Sequence, residues 1–220
     1  MHIPDGYLSP ASCGFFWAAM LPIWALCSRK VKSRLQARQV PMLAIGAVFS
    51  FVVMLFNLPI PGGSTGHATG AVLLAILLGP WAGCIAITVT LGIQALLFGD
   101  GGILALGANC FNMAFVMCFS GYYIYRAISF GARPEGSRRF IAAGLAGYIG
   151  LNLVSFLAAI EFGLQPLLYH TSSGQPLYSP FGFKVTIPVM LGEHLLIFGW
   201  LEALVTAGVI KYLQKNSFRR

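Results

Sequence analysis

Charge is what this 220-residue chain has least of. Only 9% of its residues are Asp, Glu, Lys or Arg, against about 25% in a soluble domain. With 57% hydrophobic residues, that shortage excludes an ordinary water-soluble globule and points to a chain solvated largely by lipid. The five cysteines, Cys13, Cys27, Cys84, Cys110 and Cys118, lie mostly inside apolar runs and form no C-x-x-C. They read as small packing residues, not as a disulfide framework or a thiolate metal site. No G-x-x-x-x-G-K-[ST] occurs, so no ATP-binding loop is encoded here. Neither a Ser-His-Asp set nor a paired-carboxylate cleft is visible, and nothing supports an enzyme. The net charge of +8 would suggest nucleic acid in a soluble protein; in a membrane chain it reflects cytoplasmic loops, with no nucleic-acid partner.

What is present is a series of long apolar runs. They cover about 11–28, 41–58, 67–79, 82–98, 103–127, 140–160 and 185–210. A spanning helix needs about 17–25 residues, so six runs fit and the third is short. None alternates apolar with polar residues as a barrel strand would. The expected fold is therefore an all-α integral membrane protein of seven transmembrane helices, forming one membrane domain over 1–220. A Pro-containing aromatic segment at about 162–183 is expected as an outer loop.

Basic residues set the expected orientation. Arg29, Lys30, Lys32, Arg34 and Arg38 follow the first run. Arg126, Arg133, Arg138 and Arg139 follow the fifth, and Lys211, Lys215, Arg219 and Arg220 follow the seventh. Seven spans put all of these on one side and only Lys184 on the other. By the positive-inside rule, the N-terminus is outside and the C-terminus is cytoplasmic. Residues 1–10 have no basic n-region and hold Pro4, Asp5 and Gly6, so they do not read as a signal peptide. The large His2 argues that Met1 is kept.

The outer side then carries MHIPDG and the stretch PGGSTGHATG. The Met1 α-amine, the His2 amide nitrogen (once deprotonated) and His2 Nδ1 close adjacent five- and six-membered chelate rings. Those rings hold three nitrogens in one plane, and His67 can add a fourth. Square-planar nitrogen sites favour Ni(II) or Cu(II). Two plainer readings stand beside this one: His2 as a solvated terminal residue, and His67 as a packed loop histidine. A histidine near membrane depth is nonetheless a functional candidate by default.

Four stretches carry a resemblance: MHIPDG at the start, PGGSTGHATGA, GDGGILALGANCFNMA and GEHLLIFGWLEALVT. Together they resemble the CbiM/NikM family, the substrate-binding S components of cobalt and nickel energy-coupling-factor (ECF) transporters, over essentially the whole chain. The resemblance implies a seven-helix protein of the prokaryotic plasma or inner membrane. It implies Ni(II) or Co(II) as transported substrate, not as cofactor, held by Met1, His2 and His67. The implied partners are a membrane-coupling T subunit, cytoplasmic ATPase subunits and, in some systems, a small accessory membrane subunit. Easier loss of the amide proton favours nickel slightly over cobalt.

Asp5, Asp100, Asn109 and Asn112 are candidates for groups that hydrogen-bond the ligand segments. Helix capping is the alternative for Asp100 and interhelical bonding for the two asparagines; the alternative for Asp5 is to pin the N-terminal strand, which Pro4 stiffens. Glu193, His194 and Glu202 suggest a polar network in the seventh run, with an interhelical bond favoured over a proton relay. Glu161 and His170 receive no metal role. Small residues at Ala44, Ala47 and Ser50, and at Gly144, Gly147 and Gly150, predict close helix packing. Two other functional classes are a self-sufficient proton-coupled metal transporter using Glu193, His194 and Glu202, and an intramembrane enzyme using Glu193 and His194. No inverted repeat supports the former.

Overall fold

Apolar runs free of strand alternation can satisfy their backbone in lipid only as helices, and helices dominate the computed structural model. It describes residues 1–34, 40–60 and 64–217. Arg38, Arg219 and Arg220 of the charge pattern, and residues 61–63, lie outside the described residues. The first helices are α1 (Pro10–Arg34) and α2 (Val40–Met54). A two-stranded antiparallel hairpin follows, β1 (Leu58–Ile60) with β2 (Ser64–Gly66), in which Leu58 pairs with Gly66 and Pro59 with Thr65. Next come α3 (Ala71–Leu78) and α4 (Pro80–Ile93). α5 (Leu106–Asn109) and α6 (Met117–Ile128) lie on one rod, α7 is Ser137–Leu168, and α8 (Phe183–Glu193) runs into α9 (Gly199–Ser217).

Among the described residues, three rods contain π-helical stretches: Gln94–Phe98 at the end of α4, Cys110–Val116 between α5 and α6, and His194–Phe198 between α8 and α9. Such insertions change the phase of a helix and occur frequently at functional sites. Four rods of the described residues are long and apolar enough to cross a membrane: Pro10–Ser33, Pro80–Phe98, Ser137–Leu168 and Phe183–Asn216. Large apolar side chains such as Phe15, Ile45, Leu97 and Leu204 face outward.

Several boundaries differ from the apolar runs. α1 continues through the basic residues to Arg34, because Lys and Arg are good helix formers. The second run stops being helical at Met54, and its end supplies β1. Residues 67–70 are not helical, so α3 begins only at Ala71. α7 runs on past 160 to Leu168 and includes Pro166.

Of the small-residue faces, Ala47 and Ser50 are buried and Ala44 is exposed, while the glycines of α7 pack within the chain. The α-carbons of Gly144 and Gly147 lie against α9, so a methyl at Gly147 would sit 3.2 Å from the Glu202 carbonyl oxygen. All five cysteines are buried and free.

Candidate metal centre

The first nine residues are not a frayed end. Asn109 grips Ile3 by both backbone groups: Ile3 N–H donates to Oδ1 at 2.8 Å, and Nδ2 donates to the Ile3 carbonyl at 3.1 Å. Gly102 N–H donates to the same carbonyl at 2.9 Å. The Asp5 carboxylate accepts from the Ile103 and Ala105 amides at 2.9 and 3.0 Å. Farther along, Tyr7 O accepts from Ser179 N–H, and Ser9 N–H donates to Gln165 Oε1. A β-carbon at Gly102 would run into the Asp5 carboxylate and backbone nitrogen, so only glycine lets the two segments approach this closely.

Pinned in this way, Met1, His2 and Ile3 are buried inside the protein. The Met1 amine lies 3.3 Å from Thr65 Oγ1 on β2. One residue past β2, His67 is fully buried and its ring stacks on His2 with centroids 4.6 Å apart. Phe198 closes over Gly66 from the π stretch between α8 and α9, where a β-carbon on Gly66 would run into its ring.

The hydrogen bonds orient the rings. His67 Nδ1 is 3.1 Å from the Ala68 carbonyl, which can only accept, so Nδ1 carries the proton and Nε2 a lone pair. His2 Nε2 is 3.2 Å from Gln94 Oε1, and His2 Nδ1 lies 3.0 Å from His67 Nε2 and 3.3 Å from Asp100 Oδ1. Metal–imidazole bonds of about 2.0–2.1 Å at a right angle put their nitrogens about 2.8–3.0 Å apart. The observed separation is therefore that of adjacent corners of a square.

Burial also keeps the donors neutral. It pushes the Met1 amine from its ordinary 8.0 down to about 4, against the opposing pull of Asp100 and Glu193. It takes His2 from 6.5 to about 3, with the amine's charge adding to the effect and Gln94 opposing it. His67 is held well below 6.5, first by burial and then by the amine and His2. The Asp100 carboxyl is raised by desolvation, partly offset by the amine and by hydrogen bonds from Asn57.

Met1, His2 and His67 thus converge, with Asp100 beside His2, and Asp5 and Asn109 on the backbone that positions them. Asn112 does not join them: it donates to Glu161 at 2.9 Å. His170 pairs with Pro176 in the segment between α7 and α8. His194 Nδ1 donates to the Met190 carbonyl of its own rod at 2.7 Å, an intrahelical bond and not the interhelical one expected. Glu202 does bond across helices, to the segment leading into α3. Sequence reasoning missed Gln94 and Thr65. A lone glutamine inside the apolar run 82–98 was the available signal for the first; Thr65 had none beyond its place two residues before His67.

A family model described as "Cobalt uptake substrate-specific transmembrane region", CbiM, matches residues 2–219. The fused nickel transport protein NikMN of Rhodobacter capsulatus is 51% identical over 217 residues, which cover 99% of this chain. The chain spans 62% of that relative's length, less than two thirds. The cobalt transport protein CbiM of Roseiflexus sp. is 34% identical, with 97% of this chain and 89% of that protein aligned. A crystal structure of a truncated transition metal transporter superposes with a TM-score of 0.93 at 51% identity, covering 98% of this chain and 99% of the other.

Proposed function

The chain belongs to the CbiM family, and from that premise we propose that it is the substrate-binding subunit of an ATP-driven ECF-type importer for Ni(II) or Co(II). The observation that carries this reading is the approach of His67 Nε2 to His2 Nδ1 at 3.0 Å inside the protein, beside the buried Met1 amine.

In this reading the chain crosses the prokaryotic plasma or inner membrane seven times, with the N-terminus outside. A hydrated ion enters from that side. The neutral amine and imidazoles displace its waters, and the His2 amide gives up its proton as the chelate closes. The ligands are then the amine, the His2 amide nitrogen, His2 Nδ1 and His67 Nε2. Gln94 fixes the His2 ring, and Asp100 offsets the ion's charge. The loaded protein docks on a membrane-coupling subunit, and cytoplasmic ATPase subunits drive inward release. Nickel is favoured over cobalt because it displaces an amide proton more readily, in keeping with the affinity order for nitrogen sites. Copper would bind more tightly still, so supply or access excludes it.

The test is a substitution. His2→Leu keeps Met1, because leucine is also large, and deletes the imidazole while leaving the helices unchanged. Purified with its native amino terminus, the original chain should hold close to one equivalent of Ni(II) and His2→Leu should lose it. Equal retention by His2→Leu would overturn the site.

A further inference from the structure

α3 begins inside the protein, and that creates a problem only a distant residue solves. The first N–H groups of a helix have no intrahelical partner. Residues 66–75 are buried, so water does not serve them, and the residue at the N-cap, Gly70 (φ 70°), has no side chain. The missing acceptor comes from α9. Glu202 Oε2 accepts the Thr69 amide at 2.6 Å, the Gly70 amide at 3.0 Å and the Thr69 hydroxyl at 3.3 Å. The Thr69 oxygen in turn accepts the Ala71 amide at 3.0 Å. Glu202 is fully buried. Its own backbone is packed so tightly on α7 at Gly147 that the carboxylate has a fixed base.

Thr69 is two residues from His67, and consecutive α-carbons are 3.8 Å apart, so a shift at one is felt at the other. Resting on the metal-site reading above, we propose that Glu202 is a positioning residue: by holding the Thr69 and Gly70 amides, it fixes the His67 imidazole in the plane of the metal. Glu202 touches no metal ligand. It ties the loop bearing His67 to α9, the helix that runs to the other end of the molecule.

The test compares E202Q, E202L, E202D and H67A in detergent with the native amino terminus. Ni(II) affinity and the ligand-field absorption band are read on each, with circular dichroism to confirm folding. Gln offers the same carbonyl acceptor, so E202Q should bind close to the original with an unmoved band. E202L should bind about 10–100-fold more weakly, the range for losing a group that orients a metal ligand, and its band should shift. A folded E202L with the original affinity and band overturns the proposal, as does an E202Q as weak as E202L. If E202L does not fold, E202D decides: it draws the carboxylate back from both amides by one methylene, so weaker binding with a shifted band supports positioning, and unchanged binding refutes it. H67A separates the two readings, because undiminished binding there would remove the metal site itself.

Discussion

Asn109→Ala isolates the docking of the N-terminal segment from the metal chemistry. The substitution deletes both bonds to Ile3. The Ile3 carbonyl keeps the Gly102 amide as a donor, so that side loses one ordinary hydrogen bond, about 1 kcal/mol. The Ile3 N–H is left buried without an acceptor, which costs about 1–3 kcal/mol. Together these shift the docked-to-undocked ratio by about 2–4 kcal/mol, or about 30- to 1,000-fold. An undocked segment exposes the Met1 amine, so the assay is its labelling rate by an amine-reactive reagent, followed by mass spectrometry of the N-terminal peptide. Labelling should accelerate by at least about 30-fold, and apparent Ni(II) affinity should fall as the binding-competent fraction drops. Asn112→Ala, which removes only the bond to Glu161, should leave labelling unchanged. If Asn109→Ala is labelled as slowly as the original, residues 1–3 are not held in the way described.

Two further outcomes follow from the same segment. The docked amine and His2 have values of about 4 and about 3, against 8.0 and 6.5 when free; the undocked state therefore binds more protons, and docking weakens as pH falls from 8 towards 3. Ni(II) affinity measured by equilibrium dialysis should drop across that window, more steeply below pH 6.5 where the imidazole joins the amine; a flat profile would contradict it. Gly102→Ala places a methyl group against Asp5 and should weaken Ni(II) binding by about tenfold or more while the helices stay intact by circular dichroism; unaltered binding would show that the segment has slack there.

The helical rods were legible because apolar length dominates in lipid, and the pinning role of Asp5 followed from a stiff MHIPDG. Other features were hidden for physical reasons. Asn109 and Asn112 are three apart and share a face at ordinary helical periodicity. The π stretch that begins at Cys110 changes that phase, and Asn112 turns to Glu161 instead. The π stretch at Gln94 likewise follows from tertiary packing and leaves no sequence signal. Pro166 suggested a loop, yet α7 carries it in its last turn, two residues before the end at Leu168, where a helix is ending anyway. Met1 and His2 were legible as a candidate chelate because ring sizes depend on covalent connectivity alone, and His67 as a histidine behind a Gly-rich turn. Thr65, Gln94 and Glu202 depend on which segments meet, and no spacing records that.

Nickel K-edge X-ray absorption on the loaded protein with an unmodified amino terminus tests the central claim most directly. The expected result is a planar, four-coordinate Ni(II) with nitrogen ligands only, two of them imidazoles, in a diamagnetic sample. A six-coordinate, oxygen-rich, paramagnetic centre, or any sulfur ligand, would contradict it.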